Sequence, residues 1–529
     1  MARISFLLLF TLSASYLLAE VNRYAIFFTD KNNTPYSLNE PEDFLSQRAL
    51  ERRTKQGISL TENDLPVDPQ YVSGIRQAGA DVFYTSKWFN LAIVQMDEAL
   101  TSNLLSLNYV SDVRLIAVDE RLNLGSRKKD SWLGRVKSKS TDSQLNQLGI
   151  NNLHNENFKG EGILIAVFDS GFRGVASSAP FASIFNENRL LDTFNFVLND
   201  EDVYDLDAHG TEVLSVIGAE VEDEFLGAAP DASFVLYLTE DDFSEYPIEQ
   251  YNWLLGAERA DSVGVDIINS SLGYNTFDSP FEDYTYDDMD GNTTIVSQAA
   301  DLAASKGILV VTSVGNEGLN SWGFVVAPGD ADSVLAVGYV NSQGILSSGS
   351  SRGPTSDGQI KPEVVARGVS TSVIKESGDI SSASGSSYST PLIAGLAACI
   401  WQSKPDLTAM QLRDSILSIG DRSTTPDNLY GYGIPRYGDI IASLETIGRS
   451  SLKVFPNPTS LNVITVQGVS DPGAIFTLID AKGKRFQLTS NRSGSDDSYN
   501  LELINFSPGT YLLEVSIKRK KEVIRILKR

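Results

Sequence analysis

Four short segments of the chain contain the groups needed for acyl transfer through a serine ester. An acid, a base, an amide donor and a hydroxyl nucleophile are the parts that this chemistry requires. The segments that carry them are Asp169-Ser170-Gly171, His209-Gly210-Thr211, Gly315-Asn316 and Gly385-Ser386-Ser387. Each segment alone is common, but all four in one order along the chain predict a single reaction centre.

His209 is the predicted general base. A serine hydroxyl is almost fully protonated at neutral pH, so it needs a base within hydrogen-bond reach. The chain has only two histidines, and His154, which lies among asparagines, is interpreted as a surface or supporting residue. We expect His209 to take the proton of Ser387 and later to protonate the leaving amine. Asp169 then holds the imidazole in the right tautomer and offsets its positive charge.

Ser387 is the predicted nucleophile because it has the Gly-x-Ser register and precedes an apolar helix containing Pro391, which we expect in the first turn. The positive end of a helix favours negative charge beside it, which helps a developing oxyanion. The side-chain amide of Asn316 and the backbone N–H of Ser387 are expected to donate to that oxyanion. An ordinary asparagine turn at Asn316 is the alternative interpretation.

Further motifs support a family resemblance over residues of about 148–444. They are Asn269-Ser270-Ser271-Leu272-Gly273, Ala327-Pro328-Gly329 and Ser350-Ser351-Arg352-Gly353-Pro354-Thr355, which runs into Lys361-Pro362-Glu363-Val364. Together with the four segments, and with their order Asp, His, Ser, this part of the chain resembles the subtilisin family of serine peptidases. The resemblance implies that an extended peptide pairs, as an added strand, with a cleft wall at Ser271, Leu272 and Gly273.

The chain departs from the family pattern at a few positions without losing a reacting group. Ser170 and Ser386 replace the more frequent Thr, Tyr388 and Ser389 stand where Met and Ala are commoner, and Arg367 replaces a Pro. The chain is therefore predicted to be a serine endopeptidase that forms an acyl-enzyme on Ser387. The alternatives are a catalytically silent binding protein that keeps the scaffold, and an esterase with the same triad.

The composition restricts which partners the chain can bind and whether disulfide bonds can stabilise it. The 43 Lys and Arg against 68 Asp and Glu give a net charge of −25, which argues against a general affinity for nucleic acid or anionic lipid. The single Cys399 excludes an intramolecular disulfide and is expected to be a buried, inert thiol. No cofactor is required for the chemistry and no metal ligand is assigned.

Structural calcium is the one bound ion that the resemblance allows. The oxygen-rich loop at 287–292, with Asp287, Asp288, Asp290 and Asn292, could hold it, but the bidentate carboxylate of an EF-hand is missing. A solvated acidic loop is therefore favoured.

The N-terminal 147 residues divide into three predicted parts. Residues 1–19, with Arg3 before an apolar run, are typical of a signal peptide, with a buried first strand as the alternative. Residues 20–120 are predicted to be a small α+β propeptide domain with strands at 24–28, 91–96 and 113–118 and a polar helix at 42–55. Residues 121–147 form a basic linker. The resemblance implies that this propeptide inhibits its own peptidase until it is cut; a permanent accessory domain is the alternative.

Residues 148–447 are predicted to form an α/β domain, a subtilisin-like parallel sheet with helices on both faces. Continuous apolar runs at 164–168, 234–238, 308–312 and 334–337 are typical of strands buried on both faces. Thr408 and Gln411 predict a capping box, and Thr211 is expected to cap the helix after His209. Because ligands bind at the carboxyl ends of such strands, the position of Asp169 directly after Phe168 agrees with the motif.

Residues 450–529 are predicted to form a β-sandwich from short β-prone segments separated by turns. Lys453-Val454-Phe455-Pro456-Asn457-Pro458-Thr459, Asp480-Ala481-Lys482-Gly483-Lys484 and Ser507-Pro508-Gly509-Thr510-Tyr511 resemble the C-terminal sorting domain of the type IX secretion system. The resemblance implies outer-membrane secretion machinery as a partner and a secreted protein, extracellular or at the bacterial cell surface. A carbohydrate- or surface-binding module is the alternative.

Overall fold

The computed structural model describes residues 22–118, residues 141–438 and, with short internal gaps, residues 452–528. The chain divides into two compact units, residues 1–437 and residues 438–529. The predicted signal peptide and residues 121–140 of the predicted basic linker lie outside the described residues.

The first part of the larger unit is a four-stranded antiparallel sheet with three helices. The strands are β1 (Asn22–Phe28), β2 (Asp81–Ser86), β3 (Leu91–Met96) and β4 (Val110–Ala117), in the order β2-β3-β1-β4. The helices are α1 (Gln47–Gln56), α2 (Pro69–Gln77) and α3 (Thr101–Leu105). The predicted α+β domain is present, although β2 and α2 were not expected and the polar helix begins at Gln47.

Helix α1 lies in a long connection between β1 and α2 and packs against the rest of the unit. Its side chains donate hydrogen bonds to backbone carbonyls just beyond the ends of two helices, α8 (Ile248–Val263) and α9 (Ile295–Ser305). Arg52 Nη1 donates to the carbonyl of Val265 at 2.5 Å, and Gln56 Nε2 donates to that of Gly307 at 2.7 Å. These donors therefore hold α1 against the chain segments that directly follow α8 and α9.

Two arginines of α1 are buried together with two aspartates at this contact. Arg52 lies 2.5 Å from Asp261, and Arg53 bridges Asp261 at 2.8 Å and Asp64 at 2.9 Å. Lys306 adds a second cation 3.0 Å from Asp64. All of these side chains are almost fully excluded from solvent, so each charge depends on its partners for stabilisation.

The second part of the unit is built on seven parallel strands. They are β5 (Leu164–Asp169), β6 (Leu190–Asn195), β9 (Ser233–Leu238), β10 (Ile267–Ser270), β11 (Leu309–Ser313), β12 (Leu335–Val340) and β13 (Val364–Arg367). Their order is β13-β12-β11-β10-β5-β9-β6. Two short antiparallel pairs accompany them, β7 (Glu220–Val221) with β8 (Phe225–Leu226), and β14 (Thr371–Ile374) with β15 (Ile380–Ala383). The predicted parallel sheet is confirmed.

Helices pack against this sheet and position the ends of the loops. Besides α8 and α9 they are α4 (Asp142–Gln147), α5 (Ile150–Asn155), α6 (Ala182–Asn186), α7 (His209–Gly218), α10 (Ser386–Ser403) and α11 (Ala409–Ser418). Helix α10 is buried from Ser386 through Trp401, as expected for a helix that is apolar all round. The predicted capping box of Thr408 and Gln411 begins α11.

Three local interpretations differ from the structure. Thr211 does not cap α7, whose N-cap is Ala208, because its hydroxyl donates instead to the carbonyl of Arg173 at 2.8 Å. His154 is buried in α5 rather than at the surface, and its Nε2 contacts the carbonyl of Ala228 at 3.0 Å. Pro391 is the sixth residue of α10, beyond its first turn.

The smaller unit consists of two four-stranded antiparallel sheets. One has the order β16-β17-β21-β20 and the other β19-β18-β22-β23. Their bounds are β16 (Lys453–Phe455), β17 (Val463–Gln467), β18 (Ile475–Ile479), β19 (Arg485–Gln487), β20 (Ser490–Arg492), β21 (Ser498–Glu502), β22 (Gly509–Ile517) and β23 (Lys520–Lys528). Ile464 and Leu501 of one sheet share a buried core with Phe476 and Leu513 of the other, which is the predicted sandwich.

Replacing Asp261 by Asn tests the buried charge cluster. The change leaves Arg52 without its carboxylate partner and Arg53 with only Asp64, and breaking a buried ion pair costs about 3–5 kcal/mol. Urea unfolding of the full-length chain should show that loss. Asp414→Asn is the matched control, since Asp414 is 74% exposed and 3.9 Å from Arg413. Equal stability of the two variants would contradict the account.

Candidate active site

Asp169 and His209 meet at the carboxyl edge of the parallel sheet. Asp169 is the last residue of β5 and is fully buried, and His209 is the first residue of α7. Nδ1 of His209 lies 2.7 Å from Oδ1 of Asp169, which also accepts a hydrogen bond from the Ser170 N–H at 2.9 Å. With Nδ1 held by the carboxylate, Nε2 is left as the nitrogen that can exchange a proton with a substrate or nucleophile.

Glycine after His209 is required by the close approach of α7 to the end of β5. A Cβ on Gly210 would lie 2.6 Å from the carbonyl oxygen of Gly171 and 2.9 Å from the Cβ of Asp169. Any larger residue would push the start of the helix away from the carboxylate. The pair His209-Gly210 is thus explained by packing as well as by chemistry.

Asp207 is a supporting residue that the sequence interpretation missed. Its carboxylate accepts hydrogen bonds from the His209 N–H at 3.1 Å and from the Ser170 hydroxyl at 2.9 Å. Burial alone would raise the pKa of Asp207, but the N–H groups of Ala208 and His209 and the Ser170 hydroxyl outweigh it, so the pKa is lowered. An aspartate two residues before a helix start was the available signal.

The charges around His209 make it a stronger base than a free histidine. Burial lowers the pKa of His209, but the charge and the hydrogen bond of Asp169 raise it, with smaller contributions from Glu212 and Asp207, and the result is a pKa of about 9. Glu212 lies one turn along α7. Its part in the site was not predicted.

Ser387 lies at the N-terminus of α10, which packs against α7. It is 9% exposed, and its Oγ donates to the carbonyl of Ser271 at 3.3 Å. Within the described residues its hydroxyl makes no hydrogen bond to His209. The ring of the next residue, Tyr388, is 5.8 Å from the His209 ring, so the residue beside Ser387 packs against the histidine.

Pro391 leaves the backbone carbonyl of Ser387 without its usual helical hydrogen bond, which was not predicted from the sequence. A proline has no N–H, so the carbonyl four residues earlier, that of Ser387, loses its helical partner. The hydroxyl of Ser271 donates to that carbonyl at 3.0 Å instead. Ser271 and Ser387 therefore exchange two hydrogen bonds, and Ser271 supports the serine through its side chain as well as its backbone.

The neighbouring serines are used in the structure. Ser386 and Ser389 are fully buried, and the Ser389 hydroxyl donates to the carbonyl of Ser386 at 3.0 Å. Oδ1 of Asn316 accepts hydrogen bonds from the backbone N–H and the hydroxyl of Ser386, at 2.9 and 3.2 Å. These two contacts fix the orientation of the Asn316 side chain, whose NH2 group makes no hydrogen bond to any described residue.

The predicted cleft wall follows β10. Ser313 donates to the carbonyl of Leu272 at 2.8 Å. Gly273 is exposed, and its N–H and C=O have no partner in the described part of the chain. An exposed, unpaired stretch of backbone is the edge to which an extended peptide can add as a strand.

Tyr388, where the family more often has Met, packs against the histidine. It is almost fully buried, and its hydroxyl donates to Glu212 at 2.9 Å. Glu212 also forms an ion pair with Lys375 at 2.5 Å. Tyr388 and Lys375 therefore hold the carboxylate whose charge raises the pKa of His209.

No group of three or more His, Cys, Asp or Glu side chains suited to a metal ion is found among the described residues. In the acidic loop, Asp290 accepts hydrogen bonds from the N–H groups of Asn292 and Thr293, and Asp288 accepts one from the Thr285 N–H. These carboxylates accept hydrogen bonds from N–H groups of their own loop. Cys399 is buried as predicted, and burial raises the pKa of its thiol.

Family models match three consecutive parts of the chain. The Subtilase family matches residues 160–433, the Peptidase S8 propeptide domain of Bacteroidota matches residues 23–135, and the Secretion system C-terminal sorting domain matches residues 453–529. The match at the C-terminus makes this a secreted or cell-surface protein. No helix in the described ranges is long and apolar enough to cross a membrane.

Curated relatives are similar over half or more of the chain. Subtilisin E of Bacillus subtilis (strain 168) is 30% identical over 363 residues, which cover 68% of this chain and 82% of that protein. Subtilisin of Bacillus pumilus is 32% identical over 278 residues, covering 52% of this chain and 89% of that protein. From the fold, the site and these matches, the chain belongs to the subtilase family of serine endopeptidases, with a propeptide domain and a type IX sorting domain.

Proposed function

We propose that this secreted peptidase hydrolyses peptide bonds through a triad of Asp169, His209 and Ser387, with an acyl-enzyme on Ser387. The observation that carries the proposal is the 2.7 Å hydrogen bond between His209 and Asp169 at the carboxyl edge of the sheet. It orients the imidazole beside the helix that begins with Ser386 and Ser387.

The reaction proceeds in two halves. His209 Nε2 takes the proton of the Ser387 hydroxyl while Oγ attacks the carbonyl carbon of the substrate. The tetrahedral intermediate collapses as His209 protonates the leaving amine, and a water activated by the same base then hydrolyses the ester. The hydrogen bond of Oγ to Ser271 is long, at 3.3 Å, so turning the hydroxyl toward His209 costs little.

The developing oxyanion is stabilised by two donors. The N–H of Ser387 is at the second position of α10, where no intrahelical acceptor exists. The Asn316 amide is the other donor, since Ser386 holds its Oδ1 and no described residue accepts from its NH2 group. The start of α10 adds a favourable dipole.

The preferred substrate is a polypeptide in extended form. The unpaired backbone of Gly273, beside Ser271 and Leu272, favours a strand-like peptide over a small ester. The presence of every reacting group disfavours the silent-scaffold alternative. Comparing cleavage of casein with cleavage of a simple ester separates the peptidase from the esterase.

Residues 20–120 are proposed to act as the inhibitor of their own peptidase, and the sorting domain to engage the outer-membrane secretion machinery. The buried charges of α1 and its hydrogen bonds to the segments after α8 and α9 support a domain that holds the peptidase part tightly. The chemistry itself needs no cofactor, because all proton transfers use side chains. Structural calcium remains a prediction.

His209→Ala should abolish turnover and leave the fold intact, because the partly exposed imidazole is the only base beside Ser387 among the described residues. Casein cleavage measures the activity, and circular dichroism checks the fold. His154→Ala is the matched control for histidine, since His154 lies in α5 and contacts Ala228. A His209→Ala protein that kept most of its activity would break the assignment.

Asn316→Ala should lower kcat by about 10²–10³, a range taken over from relatives with such an amide donor, with little change in KM. The amide contributes only when the oxygen becomes anionic, so substrate binding is spared. Steady-state kinetics on a peptide substrate checks both constants. A rise in KM at constant kcat would instead assign Asn316 to ground-state binding.

Activity should rise with pH toward about 9. His209 acts as a base only when neutral, and the surrounding carboxylates hold its pKa at about 9. Glu212→Gln removes one negative charge, lowers that pKa and shifts the rising limb of kcat/KM to lower pH. The exposed Glu220→Gln serves as the control and should leave the limb in place. An unshifted limb in Glu212→Gln would contradict the electrostatic account.

A further inference from the structure

A second group of carboxylates lies one strand away from Asp169. Strand β9 is paired with β5, with Leu238 opposite Asp169, and the next N–H, that of Thr239, donates to the Asp169 carbonyl at 3.1 Å. The chain then continues through Glu240 and an acidic loop and enters α8, where Glu249 is in the first turn. These two glutamates therefore lie at the same edge of the sheet as the triad.

Glu240 is bonded to the residue that follows the cleft wall. Its Oε1 accepts hydrogen bonds from the Tyr274 hydroxyl at 2.6 Å and from the Thr239 hydroxyl at 2.8 Å. Tyr274 comes directly after Gly273, and its backbone bonds to Ala327. Glu240 thus lies beside the edge to which an extended peptide is proposed to add.

Glu249 is buried with one oxygen unsatisfied. It is only 2% exposed, its Oε1 accepts a hydrogen bond from the Asp241 N–H at 2.9 Å, and its Oε2 has no partner. Native proteins rarely leave a buried carboxylate oxygen unpaired, because the desolvation cost is not recovered. The orphaned oxygen points to a missing donor.

Neither glutamate forms an ion pair with a Lys or Arg of the described residues. The chain does pair other buried carboxylates: Asp261 has two arginines, and Glu363 has Lys361 at 2.7 Å and Arg413 at 3.0 Å. Burial, together with repulsion from nearby carboxylates, raises the pKa of Glu240 to about 8 and that of Glu249 well above its usual range. A cation brought from outside would relieve this cost.

We propose that Glu240 and Glu249 form a subsite that binds a cationic side chain, Arg or Lys, of the polypeptide substrate. The inference rests on the proposed peptidase function and adds a substrate class to it. Arginine fits best, because its planar fork of N–H donors can reach both a hydrogen-bonded carboxylate and an unpaired oxygen. The substrate chain running along Gly273 delivers that side chain to the pair.

The chain itself contains a segment of the required chemistry. Residues 121–139, the basic connector ahead of the peptidase match at 160–433, carry seven basic side chains against one acidic residue, Asp130. A peptidase that selects cationic side chains would accept this connector as a substrate. Its processing would then obey the same preference as cleavage of other polypeptides.

The test uses the processed wild-type enzyme and pairs of fluorogenic peptides. Each pair has arginine or its neutral isostere citrulline at one of the four positions before the cleaved bond. At one position kcat/KM should be at least about tenfold higher for arginine, which corresponds to about 1.4 kcal/mol. Equal rates at all four positions would overturn the inference. Failure to cleave any peptide would instead count against the proposed function.

Variants identify the residues responsible. Glu240→Gln and Glu249→Gln should each reduce the arginine-to-citrulline ratio, and the double variant should bring it close to one. Glu222→Gln, an exposed residue between β7 and β8, is the matched control and should keep the wild-type ratio. A double variant with an undiminished ratio would place the recognition elsewhere. If a variant fails to fold, the arginine-to-citrulline ratio of the wild-type enzyme still tests whether a cationic side chain is selected.

The pH dependence of the ratio is an independent readout. The groups facing the pair are Asp169, Asp241, Glu245 and the Tyr274 hydroxyl. The carboxyl of Glu240, with a pKa of about 8, keeps its proton below that pH. Because a bound cation favours the ionised carboxylate, the arginine-to-citrulline ratio of kcat/KM should rise between pH 6 and pH 9. The titration of His209 does not change this ratio, because the arginine and citrulline peptides are cleaved with the same base. A ratio independent of pH would contradict recognition by this pair.

Discussion

The hydrogen bond between His209 and Asp169 is the contact that the rest of the site depends on. It joins the end of a central strand to the first residue of a helix forty positions later. Gly210 lets the helix approach, and Asp207 fixes the backbone at its start. The negative charge that fixes the imidazole also raises its pKa, so tight positioning of the base and its activity at neutral pH oppose each other.

Buried charge recurs through the larger unit with two different outcomes. At the contact of α1 with α8 and α9, the carboxylates Asp261 and Asp64 are fully paired with arginines and Lys306. At the same edge of the sheet as Asp169, the half-buried Glu240 and the buried Glu249 form no ion pair with a Lys or Arg of the described residues. The paired carboxylates fit a contact that lasts as long as the chain is uncleaved, because the cations and the aspartates both belong to this chain. The two glutamates fit a surface that waits for a partner from outside.

The sequence was sufficient for features that follow from local pattern. The continuous apolar run before Asp169 predicted β5 and its direction, and Thr408 with Gln411 predicted the start of α11. The four reacting segments were found because each keeps its own short motif. Their proposed roles remain to be tested, but the structure brings Asp169 and His209 together and places Ser387 on the adjoining helix.

Other features depend on contacts that no local pattern records. Helix α1 was expected to be a polar helix, yet its Arg52 and Arg53 are buried because a distant part of the chain supplies Asp261. His154 was interpreted from its asparagine neighbours as a surface or supporting residue, and α5 buries its ring against the carbonyl of Ala228. The role of Pro391 depends on where α10 begins, which is set by packing around Ser386. Glu240 and Glu249 are separated by eight residues of an acidic stretch, and only folding makes them a pair.

Active-site labelling tests the central claim most directly. The mature enzyme would be treated with a fluorophosphonate, which reacts with activated serine hydroxyls, and the modified peptide identified by mass spectrometry. The account predicts one modification, on Ser387, with a rate that collapses in His209→Ala and rises with pH as the imidazole loses its proton. Labelling of another serine, or an undiminished rate without His209, would contradict it.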